Sequence, residues 1–495
     1  MISWLISFFA TSLCAIGLMC ISPELIHWMV VPVVASGTVV AVDAVDWLRG
    51  KLQPFDPAGV LGLLGVHVFY LCPLLVGGWG HRLRYLPDQP EDYRPWLGCL
   101  GVLCFIGLLI YRYALKTWSK PALFQSPEPG MWQINARRFW CFVLLGLIVS
   151  GGLQAWAYYS LGGIQGYIAE YSNWLKGQDA FQNTTAAFSI SESFPILAIF
   201  AFAVWSWGAR WRRSWWVVGI VLVVFFFLLL LFGGLRGSRS NTVWGLFWGV
   251  GVIHFWVRPV PRKLVLCGLP VLVLFMMAYA VYKTKGADTL SFVSTTSSYS
   301  EIADGTETTA DVVMGDLGRS DVQAFLLYRL LGSQVPYDYA LGRTYLGAIC
   351  LLIPKTLWPS RPPSKLKWTT EAEYGVGSYD NSAVFQSSRV YGLVGETMLN
   401  FGPIFVPLAF VVLAVAISGL RRIMNTLNPG DSRLLIVPFL VNFCILLLIN
   451  DSDNQIFFVV KYGAVPGILI ALASHRTLSL AGQRRIVDDF KYSRY

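Results

Sequence analysis

Twelve apolar runs, each close to the ~20 residues needed to cross a bilayer, constrain this chain more than any other feature. They fall at approximately 3–22, 28–46, 58–78, 96–115, 139–159, 188–207, 215–234, 241–257, 264–283, 401–420, 433–449 and 456–474. In water such a chain would expose too much oil, because only 13% of its residues are charged and 55% are hydrophobic. In hydrocarbon every backbone N–H and C=O must bond within its own segment or a closed barrel, so runs of this length read as helices. The expected fold is an all-α polytopic membrane protein. No convincing small-residue cleavage site follows the first run, from Trp4, so it reads as a span rather than a signal peptide.

The loops set the orientation. With the N-terminus in the cytoplasm, the inside segments carry Arg49/Lys51, then Lys116/Lys120/Arg137/Arg138, then Arg210/Arg212/Arg213. Later ones carry Arg258/Arg262/Lys263, Arg421/Arg422/Arg433 and the tail Arg476/Arg484/Arg485/Lys491/Arg494. All six are basic, as the positive-inside rule requires, and the reverse orientation would put every basic cluster outside. Both termini are therefore expected in the cytoplasm. The same bias explains the net charge of +10. A basic soluble chain would invite nucleic acid, but here no basic domain exists to bind it.

The apolar pattern breaks once, from about Lys285 to Asn400, and divides the chain into 1–283, 284–400 and 401–495. Orientation puts this long segment outside, where a bacterium offers no ATP or nucleotide sugars. Chemistry there needs a substrate that arrives already activated. A structureless loop of this length is uncommon. Residues 286–315, rich in Ser, Thr, Asp and Gly, read as exposed loop. Residues 319–333 read as a helix on or near the membrane surface, with Ser320 or Asp321 as N-cap and Val322, Phe325, Leu326 and Leu330 at helical spacing. Residues 344–358 are apolar but broken by Pro354 and Pro359, as in a re-entrant or interfacial hairpin. Residues 374–400 form a Gly-rich return through Glu396 and Asn400.

Arg236 and Arg239 oppose the charge bias. They sit in a short outside turn, Gly233 to Asn241, between two very hydrophobic spans. Its Gly and Ser residues let backbone N–H groups approach a ligand, it opens the next helix, and guanidinium forks match phosphate oxygens. Ordinary snorkelling of arginine to an interface is the bland alternative. Among the cations of the long segment, Arg343, Lys355, Arg361 and Arg389 stand out because they adjoin its apolar or Gly-rich parts. Fixed cations could offset the charge that grows on a diphosphate as its bond to a sugar breaks, without a metal. A partly buried carboxylate could take the proton of an incoming hydroxyl, and Asp321 and Glu396 are the candidates.

Other signals are weaker. Asp451 and Asp453 form a D-x-D that could hold a divalent cation, though helix ends favour Asp anyway. Lys461, inside the last run, could pair with Asp451 or Asp453 or reach a phosphate. His81, Arg82 and Arg84 could line the same cavity or anchor an interface. Asn183 opens a glycosylation sequon, relevant only in a eukaryotic secretory compartment. The nine cysteines are scattered through the apolar runs without metal spacing, and the five histidines form no cluster, so no cofactor is implied.

Four stretches, with the topology, resemble the Wzy-type oligosaccharide repeat unit polymerases of O-antigen and capsule synthesis. They are Phe55-Asp56-Pro57, the Gly162-to-Tyr167 segment, Arg236 to Arg239, and Ile353 to Pro362 followed by Gly395 to Gly402. The resemblance implies a membrane glycosyltransferase of the GT-C type. Such enzymes join repeat units carried on undecaprenyl diphosphate at the periplasmic face of the bacterial inner membrane, and release a lipid diphosphate. It implies that Arg236 and Arg239, and with them Lys355, Arg361 and Arg389, engage the diphosphate. Membrane lipids are partners, and a polysaccharide chain-length regulator is left open as a third.

Two rivals compete. An O-antigen ligase shares the fold and large outside loop but looks to a histidine there as base, and no histidine falls between His254 and His475. A flippase or other transporter would carry charges along its spans and internal repeats around a midplane site. A purely structural scaffold would not need the arginine turn.

Overall fold

The computed structural model describes residues 1–80, 83, 86, 88–118, 131–175, 185–236, 239–286, 314–315, 317–333, 336–353, 357–379, 387 and 389–477. Ten helices among them are long and apolar enough to cross a membrane. They are Ile2–Ile21, Val30–Leu48, Pro57–Trp79, Arg94–Trp118, Ala136–Ser160, Ala187–Trp205, Trp215–Arg236, Arg262–Tyr282, Pro403–Asn425 and Ser452–Ala473. Two expected runs differ. The helix Arg239–Val252 slackens into a π-helical turn at Ile253–Val257. The helix Val437–Ile449 has 13 residues, about 20 Å at 1.5 Å per residue, short of a ~30 Å hydrocarbon core.

The first helix shows which solvent the fold is built for. Its buried residues are Ser3, Ser7, Thr11 and Ala15, whereas Trp4, Phe8, Phe9, Leu13 and Ile16 point outward. Inward polar groups bond one another: Ser3 Oγ donates to Asp46 at 2.5 Å, and the Thr11 and Thr38 hydroxyls meet at 2.9 Å. Small residues inside and large apolar ones outside is the pattern of helices packed in lipid. The architecture is that of an all-α, multi-pass membrane protein; among the described residues a small sheet pairs Met131–Ile134 antiparallel to Ser474–Thr477.

The chain packs as two compact units. The first comprises Met1–Lys120, Thr308–Arg421 and Phe443–Phe457. Its helices Val30–Leu48 and Pro57–Val66 approach so closely that a Cβ on Gly62 would lie 2.7 Å from the Ala44 nitrogen. The Phe55-Asp56-Pro57 stretch starts the second of these. Asp56 caps it through Ala58 N at 3.0 Å and Gly59 N at 3.2 Å, and Pro57 occupies the first turn, where a missing N–H costs nothing. The same carboxylate takes a bidentate fork from Arg421, at 2.7–3.0 Å.

The described part of the expected outside segment belongs to this unit. Ser320–Leu331 is helical as expected, but its first eight residues are buried rather than laid along a surface. It packs on Arg94–Trp118, Cys72–Trp79, Lys365–Tyr374 and Gly392–Phe401. The apolar stretch becomes the helix Arg343–Cys350, which presents Leu346 and Ile349 outward. The last two of those packing partners were not expected. Lys365–Tyr374 starts at a Ser364 cap, and Gly392–Phe401 ends at Gly402, whose φ of 89° favours glycine.

The second unit comprises Pro121–Glu307, Arg422–Asn442 and Phe458–Tyr495. Gly162 and Gly163 have φ of 80° and 88°, which lets Ala136–Ser160 turn directly into Gly163–Leu175. Trp248 Nε1 donates to Leu435 O at 2.8 Å and Asn442 Nδ2 to Trp244 O at 2.9 Å, so buried polar groups join its helices.

Candidate functional site

The second unit builds a buried cationic site around the arginine turn. The turn is held by its carbonyls. Tyr158 OH donates to Leu231 O, as does Gln154 Nε2 at 3.3 Å, Tyr279 OH donates to Gly234 O, and Tyr282 OH donates to Leu235 O at 2.6 Å. These donors satisfy the Leu231 carbonyl near the end of the Trp215–Phe232 helix and the Gly234 and Leu235 carbonyls of the turn, which would otherwise be orphaned in an apolar setting.

Onto this fixed turn comes Arg236. Its guanidinium lies 4.1 Å from the centre of the Phe188 ring and forms an ion pair with Glu192. Phe188 packs with Ala157 and Tyr167, so the Gly162-to-Tyr167 segment forms the wall behind Arg236. Two of the four resemblance stretches therefore meet here. Glu192 sits where the Thr185–Ser191 helix breaks before Phe194–Trp205, and it is 3% exposed. Its second oxygen is 2.8 Å from Lys461 Nζ. Asn241 ties the far side: its carbonyl accepts from Lys461 Nζ at 3.4 Å and from Tyr462 OH, and its amide donates to Gly233 O at 3.3 Å. Arg239, buried, opens the helix that follows.

One carboxylate thus bridges two buried basic side chains. An anion with several oxygens could take its place between them. Sequence reasoning missed Glu192, and it left Lys461 between two aspartates and a phosphate. The signal for Glu192 was present, as a lone carboxylate inside an apolar run is a functional hypothesis by default.

The first unit builds a second, carboxylate-rich cluster, where the Arg343 and Gly395-to-Gly402 stretches come together. Glu396 Oε1 accepts from Thr344 Oγ1 at 2.7 Å and Ser452 Oγ at 2.5 Å, and Oε2 accepts from Ser452 N at 2.7 Å. Asn400 Nδ2 donates to Thr344 Oγ1 at 2.7 Å, and its Oδ1 accepts from Gly342 N at 2.9 Å. Burial pushes the Glu396 carboxyl up to about 7, the Asp451 carboxylate adds to this, and the Ser452 and Thr344 bonds oppose it. Asp451 accepts from Gly392 N at 2.7 Å and Tyr391 N at 3.0 Å, and is paired with Lys365. The D-x-D aspartate is thus committed within the fold. Glu373 accepts from Tyr391 OH at 2.5 Å and Ser387 Oγ at 2.6 Å, with Arg389 at 3.8 Å. Burial raises the Glu373 carboxyl as well.

The remaining candidates make the following contacts. Asp321 is buried and accepts from Val322 N at 2.7 Å at the start of its helix. Arg343 is exposed, with its guanidinium 5.7 Å from the Trp368 ring. Arg361 donates to Ile353 O at 2.6 Å and closes the turn after Arg343–Cys350. Lys355, Gly237, Ser238, His81, Arg82, Arg84 and Asn183 lie outside the described residues. Comparison with protein-family models, with curated proteins and with solved structures finds no match, so the chemistry of these clusters must carry the functional reading.

Proposed function

We propose that the protein is a glycosyltransferase of the bacterial cytoplasmic membrane, with twelve spans and both termini inside. It would polymerise undecaprenyl-diphosphate-linked oligosaccharide repeat units at the periplasmic face. The observation that carries this is Glu192 bridging Arg236, on a turn that the charge bias places outside, and Lys461 of the last span. A lipid diphosphate is an anion suited to that place, since it can replace the single carboxylate and neutralise both cations.

In the reaction the acceptor hydroxyl bonds to the anomeric carbon of the donor glycan. The bond from that carbon to the diphosphate breaks, and its electron pair stays on the diphosphate. Arg236 and Lys461, with Arg239 at the start of the following helix, offset that charge, which asks for no metal. The hydroxyl proton passes to a carboxylate. Glu192, released as the diphosphate takes its partners, is the acceptor that the arginine turn's own unit supplies. Glu396, whose carboxyl burial raises to about 7, is the candidate base of the first unit.

A transporter of the same lipid-linked unit is the second reading. Glu192 and Lys461 favour it, because both lie within apolar spans, where a transport path carries its charges. Deleting the gene and sizing the surface glycan separates the readings. Single repeat units on carrier or core support a polymerase. Full-length glycan that never reaches its final acceptor would mean a ligase, and loss of every outward unit a transporter.

A further inference from the structure

The first unit also holds a cleft unlike the clusters above. An open cleft of about 660 Å³ lies between the Asp88–Trp96 segment and the end of the Ser320–Leu331 helix. That volume is within the range of small-molecule sites, roughly 300–1,000 Å³. A smaller hollow of about 190 Å³ shares its Glu91 and Asp92 wall.

The cleft is preformed. Gln89 Nε2 donates to Leu83 O at 2.5 Å and Leu86 O at 3.2 Å, and Gln89 Oε1 accepts from Tyr93 OH at 2.9 Å. Asp88 stands in the left-handed region at φ 46°, which side chains other than glycine rarely adopt, and its carboxylate is 72% exposed. The floor is Arg329. It is 3% exposed and anchored by Ala372 O and Glu373 O, both at 3.1 Å. Its remaining nitrogen faces the cleft, 3.4 Å from Ser333 Oγ and 3.7 Å from Asp88. Trp96 and Tyr328, edge to face at 5.4 Å, form an aromatic wall.

The charges select the ligand. Asp88, Glu91 and Asp92 line the cleft with Arg329, while Arg94, at the smaller hollow, pairs with Asp92 at 2.9 Å. Three carboxylates against one guanidinium disfavour an anion such as diphosphate. Carboxylate acceptors and a guanidinium donor beside an aromatic wall suit a neutral ligand rich in hydroxyls with an apolar face. Carboxylates accept from hydroxyls, the arginine donates, and an aromatic wall packs against ring C–H groups. We propose that this cleft binds an uncharged sugar ring, and, resting on the glycosyltransferase reading, that it holds the acceptor glycan.

The test uses the full chain in lipid nanodiscs. The probe is the lipid-free oligosaccharide repeat released by mild acid from the source cell's surface glycan, with inorganic diphosphate as a second titrant. Isothermal titration should show oligosaccharide binding that weakens at least about tenfold in Trp96→Ala and in the double variant Asp88→Asn/Glu91→Gln. Diphosphate binding should be unchanged in both. The two acidic positions are exposed, so that variant keeps its fold. Wild-type affinity in both variants, or no oligosaccharide binding by the wild type, would overturn the cleft assignment. Should the cleft bind sugar while Arg236→Ala cells make normal chain lengths, the cleft stands and the polymerase reading falls.

Discussion

Ser452 holds Glu396 with both of its donors, the backbone N–H at 2.7 Å and the hydroxyl at 2.5 Å. Because Ser452 opens the helix that follows it, the carboxylate sits at a helix N-terminus. Burial still wins, and the group titrates near 7 rather than 4.5. The folded state therefore binds the proton more tightly than the unfolded chain does. Stability on this account is full below about 4.5 and declines as pH rises through about 7. Glu396→Gln keeps a neutral group there, so its thermal unfolding midpoint should vary less between about pH 5 and pH 8. A variant as pH-dependent as the wild type would contradict the shift.

The Lys365–Asp451 pair should reveal the cost of a stranded charge. Both side chains are nearly inaccessible, at 7% and 1%. Asp451→Asn should lower stability by about 3–5 kcal/mol in detergent denaturation, since Lys365 is left buried without a counter-charge. Adding Lys365→Met should recover most of that loss, because the introduced amide would still offer an oxygen to the Tyr391 and Gly392 N–H groups.

Helix contact at Gly62 is backbone against backbone. A methyl there would meet Ala44 N at 2.7 Å and the Asp43 carbonyl carbon at 3.0 Å, and neither can rotate away. Gly62→Ala should destabilise by about 1–3 kcal/mol as overpacking does. Gly268, with nothing within 4 Å, is the control: Gly268→Ala should be neutral or stabilising by thermal unfolding.

Most spans were legible because a ~20-residue apolar run leaves a chain few choices, and the observed ends differ from those read off the sequence by a few residues. The interior polar structure was less so. Lys365–Tyr374 turns Thr369, Thr370, Glu371 and Glu373 inward, so it shows no apolar stripe at helical spacing. The Ser320–Leu331 helix was found from its periodicity, but the burial of its polar residues Gln323 and Arg329 depends on partners supplied by distant segments, Tyr391 O for the one and Ala372 O and Glu373 O for the other. Pairings such as Lys365 with Asp451 and Lys461 with Glu192 leave no local trace. The arginine turn was legible because it breaks the charge bias, whereas Glu192 was hidden by the apolar residues around it.

Glu192 should behave as a competitor of the diphosphate. Glu192→Gln removes the negative charge that Arg236 and Lys461 now share. Binding of inorganic diphosphate to the purified protein should therefore tighten, by several-fold or more in titration calorimetry, while chain extension in cells falls. Weaker diphosphate binding would show that Glu192 positions the cations rather than occupying their ligand's place.

The central claim is that Arg236 and Lys461 receive a lipid diphosphate during glycan polymerisation. Replacing the chromosomal copy with Arg236→Ala or Lys461→Ala, at verified wild-type protein level, and resolving surface glycan by gel tests it most directly. The expected result is a collapse of the long-chain ladder to single repeat units in both variants. A normal ladder in both would contradict the diphosphate site.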